Sequence, residues 1–208
     1  MSFPPFDLFG LNKLVMKCED LSNILTKEVP EGYELIGAPL TTTDYESLAD
    51  CLSLAYGIQH DIWDVTRIPK VFVEIPDVKR TFRLLYKNKD GSITVAATAT
   101  LKLIPNEYPG YGLVHWVAVH PNHQGKGLAK IVVSAVLQEA RDKQNLNKCV
   151  LNVVDTSLPA IRTYEQFGFI PAHTEENSIP RWEAIRIAQG RIEQCSDEAL
   201  VFIKLFAR

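Results

Sequence analysis

The residues with the clearest chemical potential lie in one short stretch between a predicted strand and a predicted helix. It runs from Val117 to Ala129, and two glycines, Gly125 and Gly127, stand where the helix would begin. Unpaired backbone N–H groups and the helix dipole favour an anion at such a position. Because glycine has no side chain, phosphate oxygens could also reach the backbone there. The stretch therefore predicts a pyrophosphate-binding loop.

Two side chains of this loop could strengthen phosphate binding. Gln124 can donate an amide hydrogen bond, and Lys126 brings a positive charge. A glycine pair before a helix is weak evidence alone, because glycines often only form tight turns. The loop lacks the Gly-Lys-Ser/Thr ending of a nucleotide P-loop and the G-x-G-x-x-G order of a dinucleotide-binding fold. Both common alternatives are therefore disfavoured.

The surrounding sequence predicts the elements that position the loop. Strand signals occur at 33–38, 82–86, 93–103, 113–119, 149–154 and 200–206, and helical patterns at 44–56, 127–143, 159–167 and 182–192. Apolar residues at every second position of 93–103 predict a half-buried central antiparallel strand. This order of elements favours a mixed α/β fold, with a mainly antiparallel central sheet and helices on both faces.

Length and composition narrow the class of protein. A chain of 208 residues favours one domain, which we expect over 31–208 after an N-terminal arm over 1–30 with loosely helical spacing at 6–24. The net charge of −3 and the lack of a basic run disfavour a nucleic-acid partner. Four widely spaced cysteines and the absence of a signal-peptide pattern or an apolar span predict a cytoplasmic protein without a membrane partner.

Two stretches, in the same order and spacing, resemble motifs of the Gcn5-related N-acetyltransferase (GNAT) family. The family's loop pattern is Gln or Arg, two residues, Gly, one residue, then Gly or Ala, and three residues match it: Gln124, Gly127 and Ala129. The strand before the loop is similar to the family's fourth strand through three residues: Val117, Val119 and Pro121. A second family motif is matched by 160–169, Ala-Ile-Arg-Thr-Tyr-Glu-Gln-Phe-Gly-Phe.

The resemblance implies an acyl-CoA N-acyltransferase fold that uses acetyl-CoA as a co-substrate and no metal. It implies that backbone groups of Val117, Ala118 and Val119 hold the pantetheine arm. It also implies that six loop residues bind the pyrophosphate: Gln124, Gly125, Lys126, Gly127, Leu128 and Ala129. Ser157 departs from the family's usual Asn, although a serine can still cap the helix and contact the cofactor.

The chemistry of acetyl transfer predicts two catalytic residues. The departing thiolate benefits from a proton donor, and Tyr164 stands where the family has its donor tyrosine. An amine must lose a proton before it attacks, and His115 is the candidate base because alternation would place it on the same face as Val119. A packed histidine with proton loss through water is the competing interpretation.

The acceptor is expected to be an amine of a small molecule or a peptide. Residues that could line its pocket are Trp63, Glu74, Glu107, Tyr108, Arg181 and Trp182. The sequence leaves open a longer acyl group, a hydroxyl or thiol acceptor, or a non-catalytic module that only binds acyl-CoA. It also leaves open whether the arm and the 177–197 segment cover the acceptor cleft or form a homodimer contact. A metal held by His115, His120 and His123 is disfavoured, because these residues straddle a strand and a loop.

Overall fold

A computed structural model describes residues 13–57, 63–174 and 178–203. In chain order, the strands are β1 (Lys13–Cys18), β2 (Tyr33–Ile36), β3 (Val78–Lys87), β4 (Ile93–Leu103), β5 (Gly112–Val119), β6 (Cys149–Val154) and β7 (Ile170–Pro171). The helices are α1 (Thr42–Tyr56), α2 (Arg67–Phe72), α3 (Leu128–Gln144), α4 (Leu158–Glu165), α5 (Ser178–Ala188) and α6 (Asp197–Ile203). A 3₁₀ turn occupies Pro121–His123.

The chain forms two compact units. The first, which we call the loop unit, comprises Glu19–Cys149. The second, the terminal unit, combines the two ends of the chain, Met1–Cys18 and Val150–Arg208. The predicted division into an arm over 1–30 and a domain over 31–208 stays a prediction.

The sheet of the loop unit has the order β2-β3-β4-β5, and each neighbouring pair is antiparallel. Arg83 of β3 forms an ion pair with Asp44 of α1 at 3.0 Å, whereas Arg80 forms one with Glu139 of α3 at 3.7 Å. Side chains three positions apart on a strand point to opposite faces. The two helices therefore cover opposite faces of this sheet, which confirms the predicted mixed α/β class with its mainly antiparallel strands.

Strand β4 lies in the middle of this sheet, as predicted, but its burial differs from the prediction. Residues 95–101 are buried without interruption, so both faces are covered rather than one. A register shift against Leu84 and Leu85 marks an extra residue in β4, which interrupts the simple alternation. The Val95 N–H donates to Oγ of Ser47 in α1, at 2.7 Å. Ile93, expected on the apolar face, is 50% exposed.

The first helix of the loop unit follows its predicted signals. The Asp44 carboxylate accepts a hydrogen bond from the Thr41 N–H at 2.7 Å, and Gly57 ends the helix with a left-handed φ of 60°. Helix α2 and the 3₁₀ turn were not predicted, because each is too short to show a periodic apolar pattern.

The terminal unit contains strands in the order β6-β1-β7. Strand β1 pairs antiparallel with β7, with Met16 opposite Pro171. The helical spacing predicted for 6–24 is therefore wrong at 13–18, and residues 1–12 lie outside the described part of the chain. Buried Arg181 of α5 donates two hydrogen bonds to the buried Asp155 carboxylate, at 2.9 and 3.1 Å. This pairing places Arg181 in the interior of the unit, and its role at an acceptor pocket stays a prediction.

The last predicted strand, 200–206, is wrong where it can be compared, because α6 covers Asp197–Ile203. Asp197 and Glu198 in the first turn complement the helix dipole. Ser196 precedes them; its Oγ accepts from the Ala199 N–H at 3.3 Å and donates to Glu183 of α5 at 2.6 Å. These local start signals outweigh the apolar, β-branched character of the segment. Residues 204–206 lie outside the described part.

A hydrogen-bonded chain ties β2 to the turn that follows β5. The Lys126 ammonium donates to the Tyr33 hydroxyl, and that hydroxyl lies 2.8 Å from Nδ1 of His123. The tautomer of His123 decides which of the two atoms donates in this second contact. Burial, and secondarily the charges of Lys126 and His120, lower the pKa of His123. The lowered pKa favours the neutral imidazole at neutral pH.

This pKa shift has a definite sign for stability. A histidine whose pKa is lower in the folded state contributes stability at high pH, and this contribution is lost as the pH falls below the ordinary value of 6.5. We expect the melting temperature of His123→Asn to lie below that of the wild type at about pH 7.5, with the gap narrowing toward about pH 5.5. His173→Asn, at an exposed position, is the control. Parallel pH profiles for wild type and His123→Asn would show that His123 plays no such part.

Candidate functional site

The candidate site begins at an irregularity in β5. Thr98 pairs with Ala118 and Thr100 with His115, so two steps along β4 oppose three along β5. The extra residue is accommodated at Trp116, whose φ is 49°, a left-handed value that is unusual for a bulky side chain. Such a β-bulge interrupts the hydrogen-bond ladder and bends the strand. Bulges often occur beside active sites, and this one immediately precedes the predicted pantetheine segment.

The bulge changes the face on which His115 lies. Directly paired residues of antiparallel strands share a face; His115 pairs with Thr100, whereas Val119 pairs with Ala97. Thr100 and Ala97 are three positions apart on a strand, so they lie on opposite faces. The prediction that His115 and Val119 share one face is therefore wrong, because alternation does not hold across an extra residue. Half-buried His115 lies on the face that α1 covers.

Aromatic side chains from separate elements pack around the bulge. The Trp116 ring centroid lies 4.3 Å from that of His115, 4.7 Å from Trp63 and 6.2 Å from Phe72. The Tyr56 hydroxyl donates to the Val117 carbonyl oxygen at 2.9 Å. These contacts hold the irregular backbone in place. The sequence had singled out His115 and Trp63 from this group but not Trp116, Phe72 or Tyr56, since no spacing rule brings these together.

The loop after β5 has the backbone that its glycines suggest. Gly125 and Gly127 have left-handed φ values of 76° and 72°, and α3 begins directly afterwards at Leu128. The position of Gly127 is also crowded, because an added Cβ would collide with Nζ of Lys27. Nothing lies within 4 Å of a Cβ built at Gly125. The left-handed backbone therefore favours glycine at both positions, and a side chain at 127 would in addition displace the end of the Lys27 side chain.

The side chains of the loop are largely open to solvent. Gln124, Gly125 and Lys126 are exposed, while Leu128 is 1% exposed and anchors the start of α3. The Gln124 amide donates to the Val119 carbonyl oxygen at 3.4 Å. Half-buried Ala129 follows Leu128 in the first turn. The structure thus keeps the predicted loop residues in one continuous segment of the loop unit, and its first three residues are accessible to solvent.

The two remaining predicted site residues belong to α4 in the terminal unit. Ser157 stands at the N-cap of α4, but its side chain makes no capping hydrogen bond, so the expected capping role is wrong. Tyr164 is 7% exposed, with its ring centroid 6.1 Å from that of Phe169. Burial raises the pKa of Tyr164, so its hydroxyl stays protonated at neutral pH.

The structure also locates the remaining residues that the sequence analysis singled out. Cys149 is fully buried, which confirms its interpretation as a small apolar residue. The rings of His120 and His123 lie 5.5 Å apart, and no cluster of three metal-ligating side chains occurs among the described residues. None of the described helices has the length and apolar character needed to cross a membrane. Trp182 is buried in the terminal unit, and the acceptor roles of Glu74, Glu107 and Tyr108 stay predictions.

Comparison with known proteins gives a partial but consistent match. The mycothiol acetyltransferase of Nocardia farcinica is 32% identical over 74 residues, which are 36% of this chain and 24% of that protein. Solved GCN5-related N-acetyltransferases from Kribbella flavida and Sphaerobacter thermophilus share the fold, with TM-scores of 0.53 and 0.57 at 18% and 17% identity. Each alignment covers 77% of this chain and 55% or 48% of the other. The chain therefore spans about a quarter to a half of these proteins.

The sequence model of the acetyltransferase (GNAT) family matches residues 48–169. This range is more than half of the 208 residues and includes the bulged strand, the glycine loop and Tyr164. The resemblance seen in the two sequence motifs is thereby confirmed, and the chain belongs to the GNAT family of acetyltransferases.

Proposed function

We propose that this chain is an acetyl-CoA dependent N-acetyltransferase that transfers the acetyl group directly to an amine of a small molecule or a peptide. The observation that carries the proposal is that the β-bulge at Trp116 is followed, eight residues later, by the exposed, cationic glycine loop that begins at Gln124 and leads into α3. Membership of the GNAT family, whose members use acetyl-CoA as the acetyl donor, supports the same reaction.

The loop has the properties that a pyrophosphate requires. The first N–H groups of α3 lack partners within the helix and point toward the loop, with the positive end of the helix dipole behind them. Lys126 adds an exposed ammonium group, which forms no ion pair within the described residues. In the proposal, residues 124–129 bind the pyrophosphate, Ser157 adds a hydrogen bond, and the bound coenzyme supplies an activated acetyl thioester.

The bulge supplies backbone groups for the pantetheine arm. Trp116 and Val117 have no partner in β4, whereas Ala118 and Val119 stay paired with Thr98 and Ala97. The groups proposed to bind the arm are the backbone groups of Val117, Ala118 and Val119 that this pairing does not use. An N–H group in this segment would stabilise the negative charge that grows on the thioester oxygen. The aromatic side chains around Trp116 keep this backbone from relaxing, so the N–H is positioned before the substrate arrives.

Two side chains are proposed to move protons. Tyr164 is proposed to donate a proton to the departing thiolate, and its hydroxyl is protonated at neutral pH. Burial raises the pKa of Tyr164 and makes it a weaker acid, so the support for this role is its place in the family motif rather than its pKa. His115 is proposed to accept the amine proton. This role is supported by the half-buried position of His115 beside the bulge, where its ring centroid lies 4.3 Å from that of Trp116. A face shared with Val119 no longer supports it. The alternative is that water carries this proton.

Thiol release tests the reaction itself. The protein is incubated with acetyl-CoA and matched sets of amines, alcohols and thiols, and free coenzyme A is measured with a thiol reagent. We expect release above the hydrolytic background with at least one class of amine. Release only with alcohols or thiols, or only from longer acyl-CoA donors, favours the corresponding acyltransferase. Tight binding of acetyl-CoA without any turnover favours a non-catalytic binding module.

With a turnover assay in hand, Tyr164→Phe tests the proton donor. We expect kcat to fall by about 100-fold, the usual effect of losing a general acid, with little change in the KM for acetyl-CoA. Tyr45→Phe removes a hydroxyl from half-buried Tyr45 of α1 and is the matched control. A Tyr164→Phe enzyme with full kcat would eliminate Tyr164 as the acid.

The glycine loop is tested by binding, without an acceptor. Gly127→Ala places a methyl group where phosphate oxygens are proposed to approach the backbone. We therefore expect the affinity of this variant for coenzyme A to fall about tenfold or more, equivalent to about 1.4 kcal/mol. Gly91 has a similar left-handed φ of 87° and open space in the β3–β4 turn, so Gly91→Ala reproduces the backbone strain alone. Equal calorimetric affinities for the two variants would contradict the assignment of the loop.

A further inference from the structure

A segment that precedes β2 lies along α3. Near the C-terminal end of the helix, the Leu21 N–H donates to the Asn147 carbonyl oxygen at 3.0 Å, and the Leu21 carbonyl accepts from Arg141 at 3.3 Å. At the opposite end, the Lys27 ammonium donates to the Lys126 carbonyl oxygen at 2.8 Å. Residues 21–27, which we call the strap, therefore span α3 from one end to the other.

The extended length of the strap is close to the length of α3. Thirteen helical steps, from residue 128 to residue 141, span about 20 Å at about 1.5 Å each. Six steps of fully extended chain, from residue 21 to residue 27, cover about 20 Å at about 3.3 Å each. Leu21 is 1% exposed, so this end of the strap is fixed in the interior. An extended chain of this length can reach the start of α3, where the Lys27 ammonium bonds the Lys126 carbonyl oxygen.

The Lys27 ammonium occupies a specific place on the loop. It lies over Gly127, in the space that a Cβ would fill, and it is exposed to solvent. Of its three N–H donors, one is directed to the Lys126 carbonyl oxygen. Neither Lys27 nor Lys126 forms an ion pair with a carboxylate in the described part of the chain. Two cations thus lie beside the positive end of α3 without a compensating charge.

An anion would stabilise this arrangement. The helix dipole and the exposed Lys27 ammonium favour negative charge beside the start of α3. The Lys126 ammonium, which donates to the Tyr33 hydroxyl, adds a second positive charge to the same loop. A lysine held only by a carbonyl oxygen can turn its remaining N–H groups toward a phosphate without breaking an ion pair. The cost of binding is therefore small, and the gain is a charge-assisted hydrogen bond.

We propose that Lys27 is a phosphate-binding residue of the coenzyme A site, positioned there by the strap. The inference rests on the proposed function and adds a residue from outside the two family motifs. It gives part of the predicted N-terminal arm a role in cofactor binding rather than in acceptor cover or dimer contact. Coenzyme A offers two sources of the ligand, the pyrophosphate and the 3′-phosphate.

Calorimetric titration of the full chain with coenzyme A and with dephospho-coenzyme A, which lacks the 3′-phosphate, tests the proposal. We expect Lys27→Gln to bind coenzyme A about five- to tenfold more weakly than the wild type, as for the loss of one charge-assisted contact. Equal weakening toward both ligands identifies the pyrophosphate as the partner, and weakening toward coenzyme A alone identifies the 3′-phosphate. Lys27→Arg should retain most of the affinity, and Lys89→Gln in the β3–β4 turn should retain all of it.

Thermal unfolding of each variant shows whether the fold is kept. If Lys27→Gln is folded and binds coenzyme A as tightly as the wild type, Lys27 contributes nothing and the proposal is overturned. Tighter binding by Lys27→Gln overturns it as well, because Lys27 would then compete with the ligand. A wild-type protein that binds neither ligand would remove the proposed function itself, an outcome distinct from a failure at Lys27 alone.

Discussion

The extra residue in β5 is the constraint on which the candidate site depends. Regular pairing with β4 is interrupted between His115 and Ala118, so Trp116 and Val117 have no partner in that strand, and the proposed ligand segment begins there. The cost is a left-handed φ at Trp116, which a bulky residue adopts only when its surroundings hold it there. Those surroundings are the aromatic rings beside Trp116 and the hydrogen bond from Tyr56 to Val117. Packing on the α1 face thus determines the chemistry available at the strand.

Electrostatics at the loop follow from contacts with distant parts of the sequence. Tyr33 of β2 and the buried, neutral His123 hold the side chain of Lys126, while the strap brings Lys27 to the same point. Because His123 is neutral, it adds no positive charge to a site that already carries two ammonium groups. The positive charge of the loop therefore comes from the two lysines alone, and it faces solvent, where an anion can reach it.

The local parts of this site could be predicted from the sequence, and the non-local parts could not. The strand, loop and helix from β5 to α3 follow from turn residues and apolar spacing within one short stretch, and they are confirmed. The face of His115 was predicted wrongly, because alternation assumes a regular strand and no pattern around Trp116 signals a bulge. Lys27 was missed because its position depends on the length of the strap and on hydrogen bonds to residues more than 100 positions away. The strand predicted at 200–206 failed for the opposite reason, since local capping by Ser196 outweighed its β-branched composition.

Backbone hydrogen exchange with and without acetyl-CoA tests the central claim most directly, because it observes the bulge and the loop without requiring an acceptor. The account predicts slower exchange on addition of acetyl-CoA in peptides from 112–130 and in the strap at 21–27, with no change in the β3–β4 turn. Unchanged exchange at 112–130 under conditions in which the ligand is bound would contradict the account, because the bulged strand and its loop would then not be the coenzyme site.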